Sequence, residues 1–559
     1  MRISIFLLTA IAFAEPNLIL HNGKVVTVDS KFRIEQAVAI DGDRITAVGT
    51  NAAVMKLRGP KTKLIDLKGK TVLPGLIDSH VHAVGAGLSE YRGEIPPLNS
   101  FAAVQDYIRV QAAKTPKGEW IQVPRTFPTR LKELAMPTRD VLDAASPDHP
   151  VMFDASYLWV LNSAALKRSG ITRDTPNPPG GEIVHDATGE PNGILRNATV
   201  LVKGLREGGK FTQTEKLDAL EKMLKRYAAA GLTAVSDRAV SDEEIALYQQ
   251  LRKENRLPVR AVLTWRINSA RPTSEVVGEI NAKPFTTGTG DEWLKFGAFK
   301  VTLDGGMTIG TAYQRQNYGP FGKQLYGQAK PDRGQLFLGP EKLFEILSAA
   351  HAKGWQLTAH SQGGGAIDGL LDAFEKIPDL AKSRSHLMHA SFQNPEAIAR
   401  AAKLHVDADV QGAWLYLDGP ALSKVFTPQD MRYFFPLRSY INAGVRIAGG
   451  TDHMTGFQKN KGVNPYNPFL GMWIAITRKT VTAEVITPEE RITREEALKM
   501  YTIWGAEMQF AEKDRGSIEA GKLADLTVID RDYLRCAVDE IKTIEPTMTM
   551  VGGVLASTH

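Results

Sequence analysis

Cysteine is almost absent from this chain of 559 residues, which contains one, Cys536. A single thiol excludes an internal disulfide framework, a cysteine-rich zinc site and a Cys-x-x-Cys redox pair. Any metal bound by this chain must therefore use His, Asp, Glu or a modified Lys. The sequence also lacks internal repeats and low-complexity tracts, and its 43% hydrophobic and 23% charged residues are ordinary for a globular protein. A disordered, collagen-like or coiled-coil chain is excluded.

The chain also lacks a strong excess of positive or negative charge. Lys and Arg number 68 against 62 Asp and Glu, which gives a net charge of +6. These charges are scattered, without a basic block or the interleaving of basic and aromatic residues that marks a nucleic-acid surface. We therefore expect no nucleic-acid partner. The sequence leaves the oligomeric state open, with a homo-oligomer among the alternatives.

No hydrophobic run reaches the roughly 20 residues that a membrane-spanning helix needs. The first residues, Met-Arg followed by ISIFLLTAIAFA, combine a basic start, a short apolar run and small residues at Ala12 and Ala14. This pattern is typical of a cleaved export signal. We predict a signal peptide over residues 1–14 and an exported protein, periplasmic or secreted, without stable membrane insertion after cleavage. A membrane anchor is the alternative, but the run is too short for it.

Both ends of the chain have β character. From Asn17 to about Leu73, short alternating runs are separated by turns, with Asp41-Gly42 as a hairpin turn. Strand-like segments return at residues 524–532 and 547–557. We predict that residues 15–75 and 505–559 together form one small composite β-sandwich domain.

The middle of the chain alternates strand-like and helical patterns. Eight apolar runs end in polar or glycine-rich turns, at residues 76–82, 232–237, 259–265, 294–304, 356–361, 385–390, 405–411 and 445–452. Helical patterns separate most of them, which favours parallel strands and an α/β fold. We predict a (β/α)8 TIM-type barrel over residues 76–504. The roughly 150 residues between the first two runs exceed one helix and its loops, so we also predict an inserted, β-rich subdomain at about residues 84–215.

Histidines and one aspartate recur where these strands end. His80 and His82 face the same side of the first strand and can share one metal ion, although an HxH pair alone is a weak signal. His360 and His389 end two later runs, and Asp452 follows the last one. Barrel enzymes keep their sites at this end of the strands. A carboxylate there can bind a metal and accept a proton from water.

The sequence resembles a known family at these positions. LPGLIDSHVH, the strand-end residues and the closing GSIEAGKLADLTVID (516–530) resemble the amidohydrolase superfamily. The long insertion, DASYLWVLNSAAL, GLTAVSD, FKVTLDGG and GWQLTAHSQGGGAIDGLLDAF are similar to its amidohydrolase-3 (YtcJ-like) branch. The resemblance covers nearly the whole chain after residue 14.

The resemblance implies a metal-dependent hydrolase that cleaves a non-peptide, amide-like C–N bond of a small molecule. It implies one or two divalent ions, with zinc expected, held by His80, His82, Lys300, His360, His389 and Asp452. Lys300 matches a lysine that is carboxylated in several relatives, where the carbamate bridges two ions. The alternative is a lysine whose side chain points from the strand to solvent or to a salt bridge. Asp452 matches the catalytic base that later acts as an acid.

Other functions remain open at this point. The same site fits a lactone or ester hydrolase or a dipeptidase, because one activated water attacks all these bonds. A metal-containing binding protein without turnover is an alternative of another class, and a purely structural barrel is a third. We also expect Asp304, Gln411 and Trp414 near substrate, and we interpret His386 and His453 as supporting residues.

The sequence departs from the branch at three places. Where the strand-five loop commonly reads His-Ala-Ile-Gly-Asp-Arg-Ala, this chain has His360-Ser-Gln-Gly-Gly-Gly-Ala, so that Gly364 and Gly365 replace an Asp-Arg pair. Tyr157 stands where a His is common, and Met388 where a Glu is common. All six expected ligands are retained, so these changes bear on substrate specificity.

Overall fold

A computed structural model describes residues 15–205, 211–328 and 332–558. The predicted signal peptide, residues 1–14, lies outside the described residues. At the centre is a sheet of eight parallel strands whose spatial order follows the chain. These strands, called barrel strands 1 to 8 below, are Leu76–Val81, Leu232–Val240, Arg260–Arg266, Leu294–Thr302, Leu357–Ser361, His386–His389, Asp407–Gln411 and Ile447–Gly450.

The last strand returns to the first. The backbone N–H of Asp452 donates to the carbonyl of His80 over 2.7 Å, and that of His82 donates to the carbonyl of His453 over 2.9 Å. Barrel strand 1 is buried along its whole length, as expected for a parallel strand covered on both faces. The predicted α/β fold with a TIM-type barrel is confirmed.

Helices lie between the strands and begin at caps encoded in the sequence. Thr212 and Glu215 form a reciprocal capping box, as do Ser241 and Glu244. A helix after each strand returns the chain to the opposite end, so the carboxyl ends of all eight strands meet at one face. The helices of this region are Ala83–Ser89, Gln213–Ala229, Asp242–Lys253, Thr273–Ala282, Pro320–Tyr326, Pro340–Lys353, Gly364–Glu375, Pro395–Lys403, Gly412–Val425, Pro428–Met431, Leu437–Asn442, Pro468–Thr477, Arg494–Met500 and Ile503–Met508.

Two further sheets lie outside the barrel: a four-stranded sheet of N-terminal strands, and a six-stranded sheet that combines strands from both ends of the chain. The four-stranded sheet contains Arg44–Gly49, Ala37–Asp41, Leu18–His21 and Lys63–Asp66, and a short helix, Asn51–Met55, lies beside it in sequence. The six-stranded sheet contains Val554–Thr558, Pro546–Val551, Leu526–Ile529, Thr71–Pro74, Lys24–Val26 and Ile34–Glu35. Leu20 and Val38 of the first sheet share a buried apolar cluster with Val72 and Leu526 of the second. The domain limits at residues 75 and 505 stay predictions.

The segment between barrel strands 1 and 2 forms a sheet of its own. Its five strands, in spatial order, are Glu182–His185, Pro191–Arg196, Leu158–Leu161, Val151–Asp154 and Ile121–Val123. Its helices are Phe101–Ala112, Arg139–Asp143 and Ser163–Ser169. Arg125, Phe127 and Tyr157 of this segment line the cavity at the barrel mouth, so the insertion contributes one wall of the site.

Short 3-10 helices complete the secondary structure at Pro128–Arg130, Thr199–Leu201, Met307–Ile309, Leu380–Ser383, Pro488–Glu490 and Val538–Thr543. Across the three described ranges, no helix is long and apolar enough to cross a membrane.

Candidate active site

Five expected ligands lie at the carboxyl ends of four barrel strands. His80 lies near the end of strand 1, and His82 follows that strand directly. His360 lies in strand 5, His389 ends strand 6, and Asp452 follows strand 8 by two residues. The structure therefore brings together side chains that are up to several hundred residues apart in sequence.

The carboxylate of Asp452 is the centre of this cluster. Its Oδ1 lies 3.3 Å from Nε2 of His80 and 3.2 Å from Nε2 of His82, and its Oδ2 lies 3.8 Å from Nδ1 of His389. One nitrogen or oxygen from each of His80, His389 and Asp452 lies within 4.8 Å of the other two. The ring of His360 completes the cluster, with its centroid 4.4 Å from that of His389.

Two buried atoms of this cluster lack a hydrogen-bond partner within the described part of the chain. They are Nε2 of His80 and Oδ1 of Asp452, which face each other. An unsatisfied buried nitrogen and oxygen are costly unless a further group binds them. Imidazole nitrogen and carboxylate oxygen are ligands of divalent transition metals. The residues present therefore fit a metal ion.

The charge states at the site also suit metal binding. Burial lowers the pKa of His80 and His360 well below the usual value and lowers that of His389 to about 3, so that these rings are neutral. Burial by itself raises the pKa of Asp452, but the adjacent His80, His82 and His389 lower it well below its usual value. Neutral imidazole and ionised carboxylate are the ligating forms.

Hydrogen bonds behind the cluster fix the ring orientation of three histidines. Nδ1 of His80 lies 3.1 Å from Oδ2 of Asp409, and Nδ1 of His389 donates to Oε1 of Gln411 over 2.8 Å. Nε2 of His360 donates to the carbonyl of Gly305 over 3.1 Å. In each ring these bonds use one nitrogen and leave the other for the site, as in metal centres with supporting hydrogen bonds.

Lys300 lies in barrel strand 4 and lines the same cavity as His360, His389 and Asp452. Its side chain is nearly fully buried, and burial lowers the pKa of its ammonium group to about 7. A large share of this lysine is therefore a neutral amine near neutral pH, which is the form that captures carbon dioxide. Its role as a carboxylated ligand stays a prediction.

The three expected substrate-contacting residues differ in position. Asp304 accepts three backbone N–H groups, those of Tyr313, Gln362 and Gly363, over 2.8 to 3.0 Å. Burial raises the pKa of Asp304 to about 8, and this side chain does not line the cavity.

Gln411 is also occupied behind the site, by His389 and by the carbonyl of Asp409. The polar atoms of Asp304 and Gln411 are paired within the protein and neither side chain lines the cavity, and a contact of either with substrate stays a prediction. Trp414 does line the cavity, and its indole N–H donates to Oδ2 of Asp452 over 3.1 Å.

The two histidines expected to be supporting residues are both buried. Nδ1 of His453 lies 2.8 Å from the hydroxyl of Tyr227. Nε2 of His386 lies 3.1 Å from a guanidinium nitrogen of Arg238. Neither residue lines the cavity, so the expected supporting role agrees with their positions.

Two further residues beside the cluster, Asp409 and Arg238, were not predicted from the sequence. Asp409 accepts from Ser79 over 2.6 Å and lies 3.3 Å from Arg238, in addition to its contact with His80. One signal pointed to Asp409: in the run 405–411, Asp407, Asp409 and Gln411 alternate, so that they share one face of a buried strand. No local signal marks Arg238, because its partners come from distant strands.

The cavity at the barrel mouth has a volume of about 450 Å³, which suits a small molecule. Barrel residues form its floor, and the insertion contributes Arg125, Phe127, Ser156 and Tyr157. The ring of Tyr157 lies 5.2 Å from that of His360. The residue that departs from the branch pattern thus lies directly at the site.

Close packing accounts for the glycines of the strand-five loop. A Cβ at Gly363 would lie 2.1 Å from the carbonyl oxygen of Tyr313, and one at Gly364 would lie 2.3 Å from the guanidinium of Arg315. That guanidinium pairs with Asp368 over 2.7 and 2.8 Å. The segment after barrel strand 4 therefore occupies the space that larger side chains at 363 and 364 would need.

A TIM-type barrel with histidines and an aspartate at its strand ends defines a hydrolase of the metal-binding barrel class. The profile of the Amidohydrolase family matches residues 63–556. An N-substituted formamide deformylase of Arthrobacter pascens is 30% identical over 550 residues, which cover 96% of this chain and 98% of that protein. The YtcJ protein of Bacillus subtilis (strain 168), whose name also describes an amidohydrolase, is 27% identical over 95% of this chain and 98% of its own length.

A solved structure shares the fold. An uncharacterized metal-dependent hydrolase from Pyrococcus horikoshii ot3 aligns with a TM-score of 0.68 and 20% identity over 93% of this chain and 99% of that chain. The chain belongs to the amidohydrolase family, in the amidohydrolase-3 branch, as the sequence motifs predict. It is an enzyme that hydrolyses carbon–nitrogen bonds.

Proposed function

We propose that this protein is a metal-dependent amidohydrolase that cleaves an amide-like, non-peptide C–N bond of a small molecule and releases an amine. One observation carries the proposal: the unpartnered Nε2 of His80 and Oδ1 of Asp452 face each other in a buried cluster at the barrel mouth. The name of the Arthrobacter pascens relative, a deformylase of N-substituted formamides, supports a short acyl group on nitrogen.

Six side chains would hold the metal: those of His80, His82, Lys300, His360, His389 and Asp452. We propose one or two divalent ions, with zinc favoured by the nitrogen-rich ligand set and carboxylated Lys300 as the bridge between two ions. When bound, such an ion lowers the pKa of water and polarises a carbonyl oxygen.

Asp452 moves the proton in this proposal. Its carboxylate accepts a proton from the attacking water and returns it to the departing nitrogen, so that one group acts as base and then as acid. The Trp414 indole N–H donates to Oδ2 and so holds the orientation of this carboxylate. The insertion contributes Phe127 and Tyr157 to the wall of the cavity beside this carboxylate.

We further propose that the protein is exported after cleavage behind Ala14, on the strength of the basic, apolar and small-residue pattern of residues 1–14. N-terminal sequencing of the protein purified after expression of the full chain tests this point. A mature chain that begins at Glu15 supports export, and a chain that retains residues 1–14 contradicts it.

A substrate panel tests the proposed reaction. Purified protein is incubated with N-alkyl and N-aryl formamides and acetamides, the matched esters, a lactone and dipeptides, and the released amine or alcohol is measured. We expect amine release from the amides, loss of that activity on chelation and its return with zinc. Asp452→Asn is the catalytic control.

Each other result has a defined meaning. Faster release of alcohol than of amine identifies an ester or lactone hydrolase, and preferred cleavage of dipeptides identifies a dipeptidase. Bound metal without turnover on any compound identifies a binding protein. Each of these results contradicts the proposal.

A further inference from the structure

One cation in the cavity wall has no acidic partner. Arg266 is the last residue of barrel strand 3, its side chain is exposed, and it lines the cavity. Over the three ranges that the structure describes, no carboxylate lies within ion-pair distance of its guanidinium.

The other two arginines of the cavity wall each have an acidic partner. Arg125 lies 3.1 Å from a carboxylate oxygen of Asp154, and Arg238 lies 3.3 Å from one of Asp409. Their charges are compensated within the protein. Arg266 is thus the arginine of this wall that remains available to a ligand.

Strand pairing places Arg266 beside the reacting centre. It is in register with Lys300 of barrel strand 4, so that the two residues lie next to each other on the same face of the sheet. Both line the cavity, as do Tyr157 and His360. The wall that carries Arg266 therefore continues directly into the proposed metal site.

We propose that Arg266 binds a carboxylate of the substrate, so that the enzyme acts on N-acylated compounds that carry an acid group. This inference rests on the proposed amide hydrolysis. A guanidinium matches a planar carboxylate through two parallel hydrogen bonds, and it binds such a group more specifically than an ammonium does. The acid group supplies the ion-pair partner that Arg266 lacks among the described residues, and the cavity of about 450 Å³ accommodates an acylated amino acid.

A matched pair of compounds tests the inference. N-formylphenylalanine carries the carboxylate, and N-formylphenylalaninamide replaces it with a neutral amide of nearly equal size. The wild-type protein is expected to favour the acid in kcat/KM. Arg266→Gln is expected to lower the acid-to-amide ratio of kcat/KM about tenfold or more, through KM for the acid, because a charge-assisted pair is lost.

Two further variants serve as controls for Arg266→Gln. Arg266→Lys keeps the charge but not the paired hydrogen bonds, so we expect an intermediate ratio. Arg271→Gln removes a partly buried arginine outside the cavity, which pairs with Glu279. We expect it to leave the ratio unchanged. Thermal unfolding of each variant checks that folding is intact.

A binding measurement separates this inference from the proposed reaction. Calorimetry on metal-free protein compares the same two compounds, without turnover. We expect tighter binding of N-formylphenylalanine than of its amide, and loss of the difference in Arg266→Gln. Equal binding of the two compounds by wild-type protein, or no binding of either, overturns the carboxylate site. The protein could bind the acid selectively and yet hydrolyse neither compound after metal loading. This result would support Arg266 as a carboxylate site and contradict the proposed reaction for this pair of compounds.

Discussion

Trp414 donates its indole N–H to Oδ2 of Asp452 over 3.1 Å. The guanidinium of Arg130, from the insertion, stacks on the indole at 5.1 Å and is itself held by the buried Asp418 over 2.7 and 3.0 Å. Asp452 also has a left-handed backbone, with φ of 55°, and its carbonyl accepts from Asn464 over 3.2 Å. The orientation of the proposed proton carrier therefore depends on both the barrel and the insertion.

Loss of the indole N–H is expected to slow turnover. In Trp414→Phe, Oδ2 of Asp452 loses its donor while the ring volume is largely retained. We predict a fall in kcat of about 10- to 100-fold, the range for one hydrogen bond to a charged group, with little change in metal content. Steady-state kinetics and elemental analysis measure both. Trp473→Phe is the matched control, because that indole donates to Asp539 and does not line the cavity. Equal losses in the two variants would contradict the role of Trp414.

Asp409 is expected to set metal affinity through His80. Asp409→Asn weakens the acceptor that fixes Nδ1 of His80, and substitutions of such supporting groups cost about 10- to 100-fold in affinity. Competition with a chelating dye measures that affinity. Asp407 lies two residues earlier, at the start of the same strand, and Asp407→Asn removes an ion pair with Arg446. We expect the Asp407 variant to lose stability and to keep its metal affinity.

Lys300 is expected to make metal uptake depend on pH. Burial lowers the pKa of its ammonium to about 7 from the usual value of 10.5, so deprotonation and carboxylation become favourable as pH rises through 7. The neutral fraction rises about tenfold from pH 6 to pH 8 for a group with this pKa. We predict faster zinc uptake by metal-free protein in bicarbonate at pH 8 than at pH 6. Lys300→Met should lose that difference, and an unchanged pH dependence in this variant would exclude the carbamate.

The lowered pKa of Lys300 also affects the free energy of unfolding of the metal-free protein. Because the folded-state pKa of Lys300 lies below its unfolded value, the folded chain binds fewer protons between pH 7 and pH 10.5. The contribution of Lys300 to the free energy of unfolding of metal-free protein therefore increases with pH across this window.

Gly363 is expected to tolerate no side chain. A Cβ there would lie 2.1 Å from the carbonyl oxygen of Tyr313, and the segments that would have to separate are joined by Asp304. We predict that Gly363→Ala lowers the free energy of unfolding by about 1 to 3 kcal/mol, the usual cost of overpacking. Denaturant unfolding measures the change. Gly369→Ala, in the following helix, has no heavy atom within 4 Å of its new Cβ and is expected to be neutral or stabilising.

The barrel was predictable from the sequence because its strands are continuous apolar runs. Strand 2 shows the limit of this approach. Its apolar pattern ends at Asp237, whereas the strand continues to Val240. Arg238 is buried there because Asp409 and His386, from strands 7 and 6, provide partners for its charge. A contact between residues so distant in sequence leaves no local pattern.

Part of the candidate active site was also predictable from the sequence. The strand-end positions of His80, His360, His389 and Asp452 follow from the ends of the apolar runs. The pairing of Asp304 with three backbone N–H groups does not, because it depends on how the loop after barrel strand 4 folds over strand 5. Side-chain partners, unlike strand ends, have no periodicity in the sequence.

Metal content per chain is the most direct test of the central claim, that the histidine and aspartate cluster binds the metal of an amidohydrolase. Elemental analysis is made on purified protein after reconstitution with zinc, together with His80→Ala, Lys300→Ala and the exposed control His405→Asn. We predict one or two ions in the wild type and in His405→Asn, and clear loss in His80→Ala. A loss in Lys300→Ala as well supports the bridged pair of ions. No stoichiometric metal in the wild type, even after reconstitution, would contradict the proposed mechanism.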